Sequence, residues 1–300
     1  MKIFLTGASG LVGAEFAKAA RRRGHSVIST GHRYEGTLEG VETFHRIDLT
    51  DLAGVQNLLL DHFPDAIVNA AALSSPADCE KSPDLAHQLN TELPQCLAQL
   101  AHHLSARMVH LSTDLVFSGE SGPYKVNARP DPTTVYGKTK VASEQAVCQA
   151  APAFATVLRI PILTGNSPRG RRSVHEKLFA QWERGETAVF SDQDIRQPVS
   201  AGNVAALLVE LLERNDVAGI HQWSGANTMS RWEMAERIRQ HFGLPEKLVA
   251  KDPQAPSCNL GLDPHPLAGK CKTPVEDFPT QLEQMVVPIP ARDWFNQLED

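Results

Sequence analysis

The sequence predicts an α/β protein: a doubly wound parallel sheet with a smaller, partly interleaved C-terminal lobe. Three observations carry that prediction. Short apolar runs alternate with helix-period segments through the first half of the 300 residues, and parallel strands need such crossover connections. A glycine-rich turn stands between the first apolar run and the first helix-period segment. Beyond Pro161 the alternation gives way to a basic loop, separate amphipathic segments and a proline-rich stretch.

Taken in order, KIFLTG reads as a strand, 11–23 as a helix stopped at Gly24, and HSVIST as a second strand. A third strand-like run precedes Asp48, and 51–62 reads as a helix ending before Pro64. AIVNAAA is a strand, 84–104 one long helix, RMVHLST a strand, 139–150 a helix and ATVLRIP the closing strand. Downstream, helices are expected near 174–184, 201–214 and 231–241, the second apolar enough to pack back onto the sheet. The stretch 251–279 has little periodicity, and 287–300 reads as a short helix. The predicted division is therefore a first domain over 1–165, with 198–215 packing back onto it, and a second lobe made of 166–197 and 216–300.

Composition narrows the function. Apolar residues are 42% and charged residues 21% of the chain, an ordinary globular balance. The formal charge of −6 disfavours nucleic acid as a partner. No apolar run reaches the roughly 18–20 residues of a membrane helix, so no membrane partner is expected. The opening MKIFLTGASG reads as a buried first strand, not a signal peptide. Five scattered cysteines without a C-x-x-C pair fit reduced thiols and a cytoplasmic location. Twelve histidines form no ligand-spaced cluster, and adjacent His102 and His103 would point apart on a helix, so no metal site is expected.

Gly7-Ala8-Ser9-Gly10-Leu11-Val12-Gly13 stands at the first strand–helix junction. Glycines there permit a tight turn, close backbone approach to a pyrophosphate and close helix–sheet packing, while the helix N-terminus offers unpaired N–H groups to phosphates. A Gly-rich turn can serve packing alone; its place in the first β-α-β unit favours binding. The second strand ends in Thr30-Gly31-His32-Arg33, with no acid before Glu35. An acid there would repel a 2′-phosphate, whereas a guanidinium pairs with one, so His32-Arg33 favours NADP(H) over NAD(H) against a solvated role for Arg33. Asp48-Leu49 follows the third run, where the carboxylate can meet an adenine amino group; capping of the next helix by Thr50 or Asp51 is the competing use of this segment. Ala70, Ala71 and Ala72 either leave backbone room beside a flat cofactor or serve tight packing.

Tyr136 and Lys140 stand four apart, on one face of a helix. A phenol ordinarily titrates near about 10, and a nearby ammonium lowers that value. Tyr136 can then exchange a proton with a carbonyl oxygen as hydride arrives or leaves, and Lys140 can hold the nicotinamide ribose. Ser112-Thr113-Asp114 ends a strand at the carboxyl edge of the sheet, where open α/β folds place their ligands. The Thr113 hydroxyl can donate to the same oxygen. A Tyr-x-x-x-Lys pair alone is common as a surface pair; behind this strand end and this Gly turn, chance explains it poorly.

TGASGLVG, NAAA, STDLVF, VYGKTK and LRIPIL, in this order, resemble the extended short-chain dehydrogenase/reductase superfamily. Within it the chain is most similar to the dTDP-4-dehydrorhamnose reductase branch, which also contains the regulatory beta subunit of methionine adenosyltransferase. The resemblance runs from Met1 to about Leu248. It implies a Rossmann-like NADP(H)-binding domain and a catalytic set of Thr113, Tyr136 and Lys140. Pro161, Ile162 and Leu163 would lie by the nicotinamide, and Asn90 would either position a water near the lysine or act as a packing amide. A homodimer is the family expectation.

Departures bear on the substrate rather than the cofactor. Leu115 and Ser118 stand where the reductases commonly carry Tyr and Asp, and RIPIL and HQWSG look more like the regulatory-subunit arm. APSCNLGLDPHPLAG matches the usual Arg-Pro-containing substrate loop poorly. Arg169, Arg171 and Arg172 form a basic loop that either holds a nucleotide diphosphate or is simply solvated. Trp223 either stacks on a base or packs as a core aromatic. The function implied is NADPH-dependent reduction of a nucleotide-linked keto-deoxysugar, foremost dTDP-4-dehydro-L-rhamnose to dTDP-L-rhamnose. The alternatives are a non-catalytic NADP-binding regulatory subunit and a reductase of another carbonyl substrate.

Overall fold

The computed structural model describes residues 1–31 and 36–298. The first half runs β1 (Lys2–Thr6), α1 (Leu11–Arg22), β2 (Ser26–Gly31), β3 (Thr43–Arg46), α2 (Leu52–His62), β4 (Ala66–Asn69), α3 (Pro76–Lys81), α4 (Pro83–His87), α5 (Leu93–Leu104), β5 (Arg107–Thr113), α6 (Val135–Ala150) and β6 (Ala155–Ile160). The second half adds β7 (Leu163–Thr164), α7 (Val174–Glu183), β8 (Ala188–Phe190), β9 (Asp194–Arg196), β10 (Val199–Ser200), α8 (Ala201–Leu212), β11 (Gly219–Gln222), β12 (Met229–Ser230) and α9 (Arg231–His241). Short elements follow: β13 (Val249–Lys251), β14 (Cys258–Asn259), α10 (His265–Ala268), α11 (Phe278–Glu283) and α12 (Arg292–Asn296).

Seven strands form one sheet in the order β11-β6-β5-β4-β1-β2-β3, every neighbour parallel. Strands covered on both faces read as continuous apolar runs, and β4 and β6 are buried along their whole length. One face is packed by α1 and α8, through Phe16, Ala17, Val204 and Leu208. The other is packed by α2, α5 and α6, through Leu59, Leu97 and Val147. A separate apolar cluster joins α7, α9 and α11 around Phe179, Trp182, Ile238 and Phe278. Arg159 can lie inside β6 because Glu144 of α6 grips its guanidinium at 2.8 and 2.6 Å, and a buried charge needs such pairing.

Four details differ from the sequence reading, each for a local reason. The 84–104 segment is not one α-helix: it is interrupted by a π-helical turn over Gln88–Glu92. Pro94, in the first turn of α5, lacks an N–H and crowds the carbonyl four residues back, so the ladder is displaced there. The strand AIVNAAA stops at Asn69, because its neighbour β1 ends at Thr6 and turns at Gly7, whose φ is +79°. Helix α6 begins at Val135 instead of 139, capped by the Thr134 side chain on the Gly137 N–H at 3.1 Å. Gly219–Gln222, assigned by sequence to the second lobe, pairs with β6 as the seventh strand of the sheet. Its residues are mostly half-buried, as an edge strand's are, so they lack the run of apolar residues that marks the inner strands. Among the described residues, no helix is long and apolar enough to cross a membrane.

Candidate functional site

A cavity of about 720 Å³ opens at the carboxyl ends of the sheet strands, the edge to which open α/β folds bring ligands. One end is formed by Gly7, Ser9, Gly10, Leu11 and Val12, with Thr30, Gly31, Leu49 and Ala70 to Ala72. A side chain on Gly7 would place its Cβ 2.7 Å from the Ala70 carbonyl, so only glycine lets the two loops meet. The N-cap of helix α1 is Gly10, which brings no side-chain cap, and the first turn holds no acid, leaving its first N–H groups for an anion. Thr30 Oγ1 is buried at this end without a partner among the described residues.

Among the described residues of the predicted cofactor and catalytic sets, two do not reach the cavity. Gly13 is a packing position: a Cβ there would lie 2.2 Å from the Gly7 carbonyl oxygen. Asp48 instead accepts from the Thr50 N–H at 3.0 Å and its hydroxyl at 2.9 Å, while Asp51 caps α2 through the Gly54 N–H. His32 and Arg33 lie outside the described residues. The other residues predicted for the cofactor and catalytic sets line the cavity: Thr113, Tyr136, Lys140, Pro161 and Leu163 close its second end.

At that end strand β5 delivers Thr113, and α6 delivers Tyr136 and Lys140. The phenol is buried, and burial followed by the Asp114 carboxylate pushes its pKa above the usual phenol range; a hydrogen bond with Thr113 pulls the other way. This corrects the expectation that Lys140 lowers it. The ammonium is turned to the Leu111 carbonyl at 2.6 Å and the His110 ring at 3.1 Å, and burial brings its pKa down to about 7 against the pull of Glu144. Asp114 is raised to about 6 by burial, opposed first by Arg196 and then by the Thr113 hydrogen bond. Asn90 donates to the Leu73 carbonyl at 3.1 Å and the Thr139 hydroxyl at 3.1 Å and accepts from the Leu73 N–H at 2.8 Å. Its side chain thus pins the loop after β4 to α6 and does not reach Lys140.

Beyond the reacting end the wall becomes cationic, with Arg172, Lys177, Arg196 and Arg231 all lining it. Burial and the neighbouring Arg172 and Arg231 lower the pKa of Lys177. Arg231 lies 4.5 Å over the Phe190 ring, and Nη1 of Arg196 is buried without a partner among the described residues. The loop carrying Arg172 is gathered by buried Glu176, which accepts from the N–H groups of Ser167, Arg172 and Ser173 at 2.6, 2.5 and 2.9 Å. Of the three loop arginines only Arg172 lines this cavity; Arg171 lines a second one and Arg169 neither. Trp223 is fully buried and donates to Asn203 Oδ1 at 2.7 Å, which makes it a core aromatic.

The sequence reading missed Thr30, Asp114, Lys177, Arg196 and Arg231 as cavity residues. Asp114 had a signal, since it completes the Ser112-Thr113-Asp114 strand end. The distant cations Lys177, Arg196 and Arg231 had none, because 63 to 117 residues separate them from Asp114 along the chain.

A family model described as the RmlD substrate binding domain matches residues 1–258. A methionine adenosyltransferase 2 subunit beta of Xenopus laevis is 30% identical over 270 residues, 88% of this chain and 78% of that protein. A probable low-salt glycan biosynthesis reductase of Haloferax volcanii is 32% identical over 257 residues, 83% of each chain. The solved structure of a hypothetical dTDP-4-dehydrorhamnose reductase from Sulfolobus tokodaii superposes with a TM-score of 0.82 at 27% identity, covering 96% of this chain and 100% of that one.

Proposed function

The chain belongs to the RmlD substrate-binding-domain family, and from that premise we propose that it is an NADP(H)-dependent reductase of a nucleotide-linked keto-deoxysugar. The carrying observation is that Thr113, Tyr136 and Lys140 line the same cavity as the uncapped glycine turn. A dinucleotide fits the first end: Gly7 and Gly10 give backbone access, the α1 N–H groups meet phosphate, and Thr30 Oγ1 is a buried hydroxyl that lacks a partner. The four cations at the far end suit a nucleotide diphosphate.

A nicotinamide held here would supply hydride to the carbonyl carbon. Everything else falls to the chain. Tyr136 donates the proton to the carbonyl oxygen, and its raised pKa keeps the phenol protonated beforehand. Thr113 orients that oxygen by donating to it. Lys140, lining the same cavity, holds the nicotinamide ribose. Within the sugar nucleotides, dTDP-4-dehydro-L-rhamnose is the substrate we favour, in line with the name borne by the Sulfolobus tokodaii structure. The similarity to the beta subunit supports a second reading, a non-catalytic NADP-binding regulatory protein.

The test is NADPH oxidation by dTDP-4-dehydro-L-rhamnose with wild type and Tyr136→Phe. Turnover that falls about 10²- to 10⁴-fold in the variant, with NADPH affinity kept, supports the reductase. NADPH binding without turnover on any nucleotide sugar would replace it with the regulatory reading. Arg33→Ala should weaken NADPH more than NADH by titration calorimetry; equal losses would remove Arg33 from the 2′-phosphate site.

A further inference from the structure

Thr113 has one hydroxyl hydrogen, and in the structure that hydrogen points to Asp114. Its Oγ1 donates to Oδ1 of the carboxylate at 3.0 Å and accepts from the Leu115 N–H at 3.2 Å. The Tyr136 oxygen is a second acceptor in reach of the same hydroxyl. Thr113 and Asp114 are both buried, and both line the cavity that a reacting carbonyl would enter. A carboxylate only accepts hydrogen bonds, and its charge makes it a stronger acceptor than a neutral carbonyl oxygen. While Asp114 is ionised, Thr113 therefore has no hydrogen left for a substrate.

Protonation reverses the direction of that bond. A carboxylic acid carries an O–H of its own, and with Oγ1 3.0 Å from Oδ1 the acid donates to the hydroxyl oxygen. Oγ1 has two lone pairs. One takes the Leu115 N–H and the other the Asp114 proton, so the hydroxyl hydrogen is left over. Asp114 gains one proton from solvent, while Thr113 keeps its own and turns it about the Cβ–Oγ1 bond. Burial raises the Asp114 pKa to about 6, opposed first by Arg196, so both forms are populated near neutral pH. The groups that face Asp114 are Tyr136 of α6, Cys258 of β14 and Arg196 of β9, the last of these 3.0 Å from Asp194.

We propose that Asp114 is a positioning residue for Thr113: the carboxylate withholds the hydroxyl hydrogen, and the acid releases it to the substrate's carbonyl oxygen. The proposal rests on the reductase reading, which gives that oxygen its place. Thr113 is then a donor only while its neighbour holds a proton, and the reaction runs faster on the acid side. The Asp114 charge also disfavours a phenolate at Tyr136 through space, which would slow the reaction in the same direction. That effect needs no hydroxyl on residue 113, so Thr113→Val separates the two.

The test compares kcat/KM of the full chain at saturating NADPH from about pH 5 to about pH 8, which reports titrations in the enzyme before substrate binds. Dividing wild type by Asp114→Asn cancels the titration of Lys140, common to both. That ratio should fall about ten- to hundredfold across the range, since asparagine meets Oγ1 with the same end at every pH. In a Thr113→Val background the corresponding ratio should be flat; in a Thr113→Ser background it should fall as in wild type. A flat ratio in the wild-type background, or a fall that survives in Thr113→Val, would overturn the proposal. The hydrogen bond is also read without turnover, in cofactor-free protein labelled with ¹³C-aspartate. The Asp114 carboxyl is the resonance lost in Asp114→Asn, and its midpoint should rise by about half a unit or more in Thr113→Val, which removes a donor to the carboxylate. An unchanged midpoint would be equally decisive against it. Absence of wild-type turnover with any nucleotide sugar would defeat the reductase reading, and the coupling of Thr113 to Asp114 would then be judged by the carboxyl titration.

Discussion

The two ends of the cavity are made in opposite ways. Around the glycine turn the described lining residues carry no charge, and the surface is shaped by side chains that are missing or small: Gly7, Gly10, Ala70 to Ala72. At the reacting end the surface is shaped by titratable side chains taken out of water, Asp114, Tyr136 and Lys140, above a buried Glu144–Arg159 pair. The first end is a steric device and leaves no room for added atoms. The second is an electrostatic one, and its charges are held there at a cost in stability. Substitutions should therefore act with opposite sign at the two ends.

The largest effect is expected at Gly13. A methyl there would sit 2.2 Å from the Gly7 carbonyl oxygen and 2.9 Å from the Ala8 Cα, both backbone atoms that cannot step aside singly. Gly13→Ala should lose about 3 kcal/mol in urea unfolding by prising α1 from the turn. Gly10→Ala, whose Cβ would have the Gly7 oxygen at 3.1 Å as its only near neighbour among the described residues, should lose less than about 1 kcal/mol. Equal losses would remove the steric account of the turn.

Asp114 should behave in the reverse manner. Its folded pKa of about 6 lies above the ordinary carboxylate value of 3.8, chiefly through burial. A raised folded pKa contributes stability that is complete below about 4 and is lost as pH rises through about 6. Asp114→Asn removes that loss while keeping an oxygen for the Thr113 hydroxyl, which lies 3.0 Å from Oδ1. The variant should therefore gain on wild type between pH 4 and pH 8, by up to about 2 kcal/mol. The loss of a counter-charge for Arg196 offsets part of the gain. Urea midpoints that differ from wild type by the same amount at both pH values would show that Asp114 carries no buried charge penalty.

What could be read from the sequence follows the same division. The glycine turn was legible because its spacing is local and each position has a short-range steric meaning, although the same spacing could not tell that Gly13 packs while Gly10 faces the cavity. Tyr136 and Lys140 were legible because helical periodicity fixes their common face. Their ionisation was not, since it depends on what surrounds them: the spacing suggested a lysine pressing on a phenol, whereas the lysine is turned to His110 and Leu111. Nothing in the RMVHLST pattern sets His110 apart from the strand's other residues. Arg196 acts on Asp114 from 82 positions away in the chain, and no local pattern encodes that meeting. The parallel sheet was legible from alternation, but β11 was not, because an edge strand is half-solvated and lacks the apolar run that marks its neighbours.

Thr30 is the exception at the first end and gives the finest test of the contrast. Its hydroxyl is a polar group placed among small and apolar ones, and it is buried without a hydrogen-bond partner among the described residues. An unsatisfied buried hydroxyl costs free energy that an isosteric methyl does not. Thr30→Val should therefore leave the cofactor-free protein as stable as wild type or more stable, by up to about 1 kcal/mol. If the hydroxyl is kept to meet the ribose of a bound dinucleotide, NADPH affinity should fall by roughly three- to tenfold, which corresponds to about 0.7–1.4 kcal/mol. A stabilised variant with unchanged affinity would mean that the first end recognises its ligand by shape and backbone alone. Loss of both stability and affinity would show that Thr30 is structural, and the division between a steric and an electrostatic end would then fail at this residue.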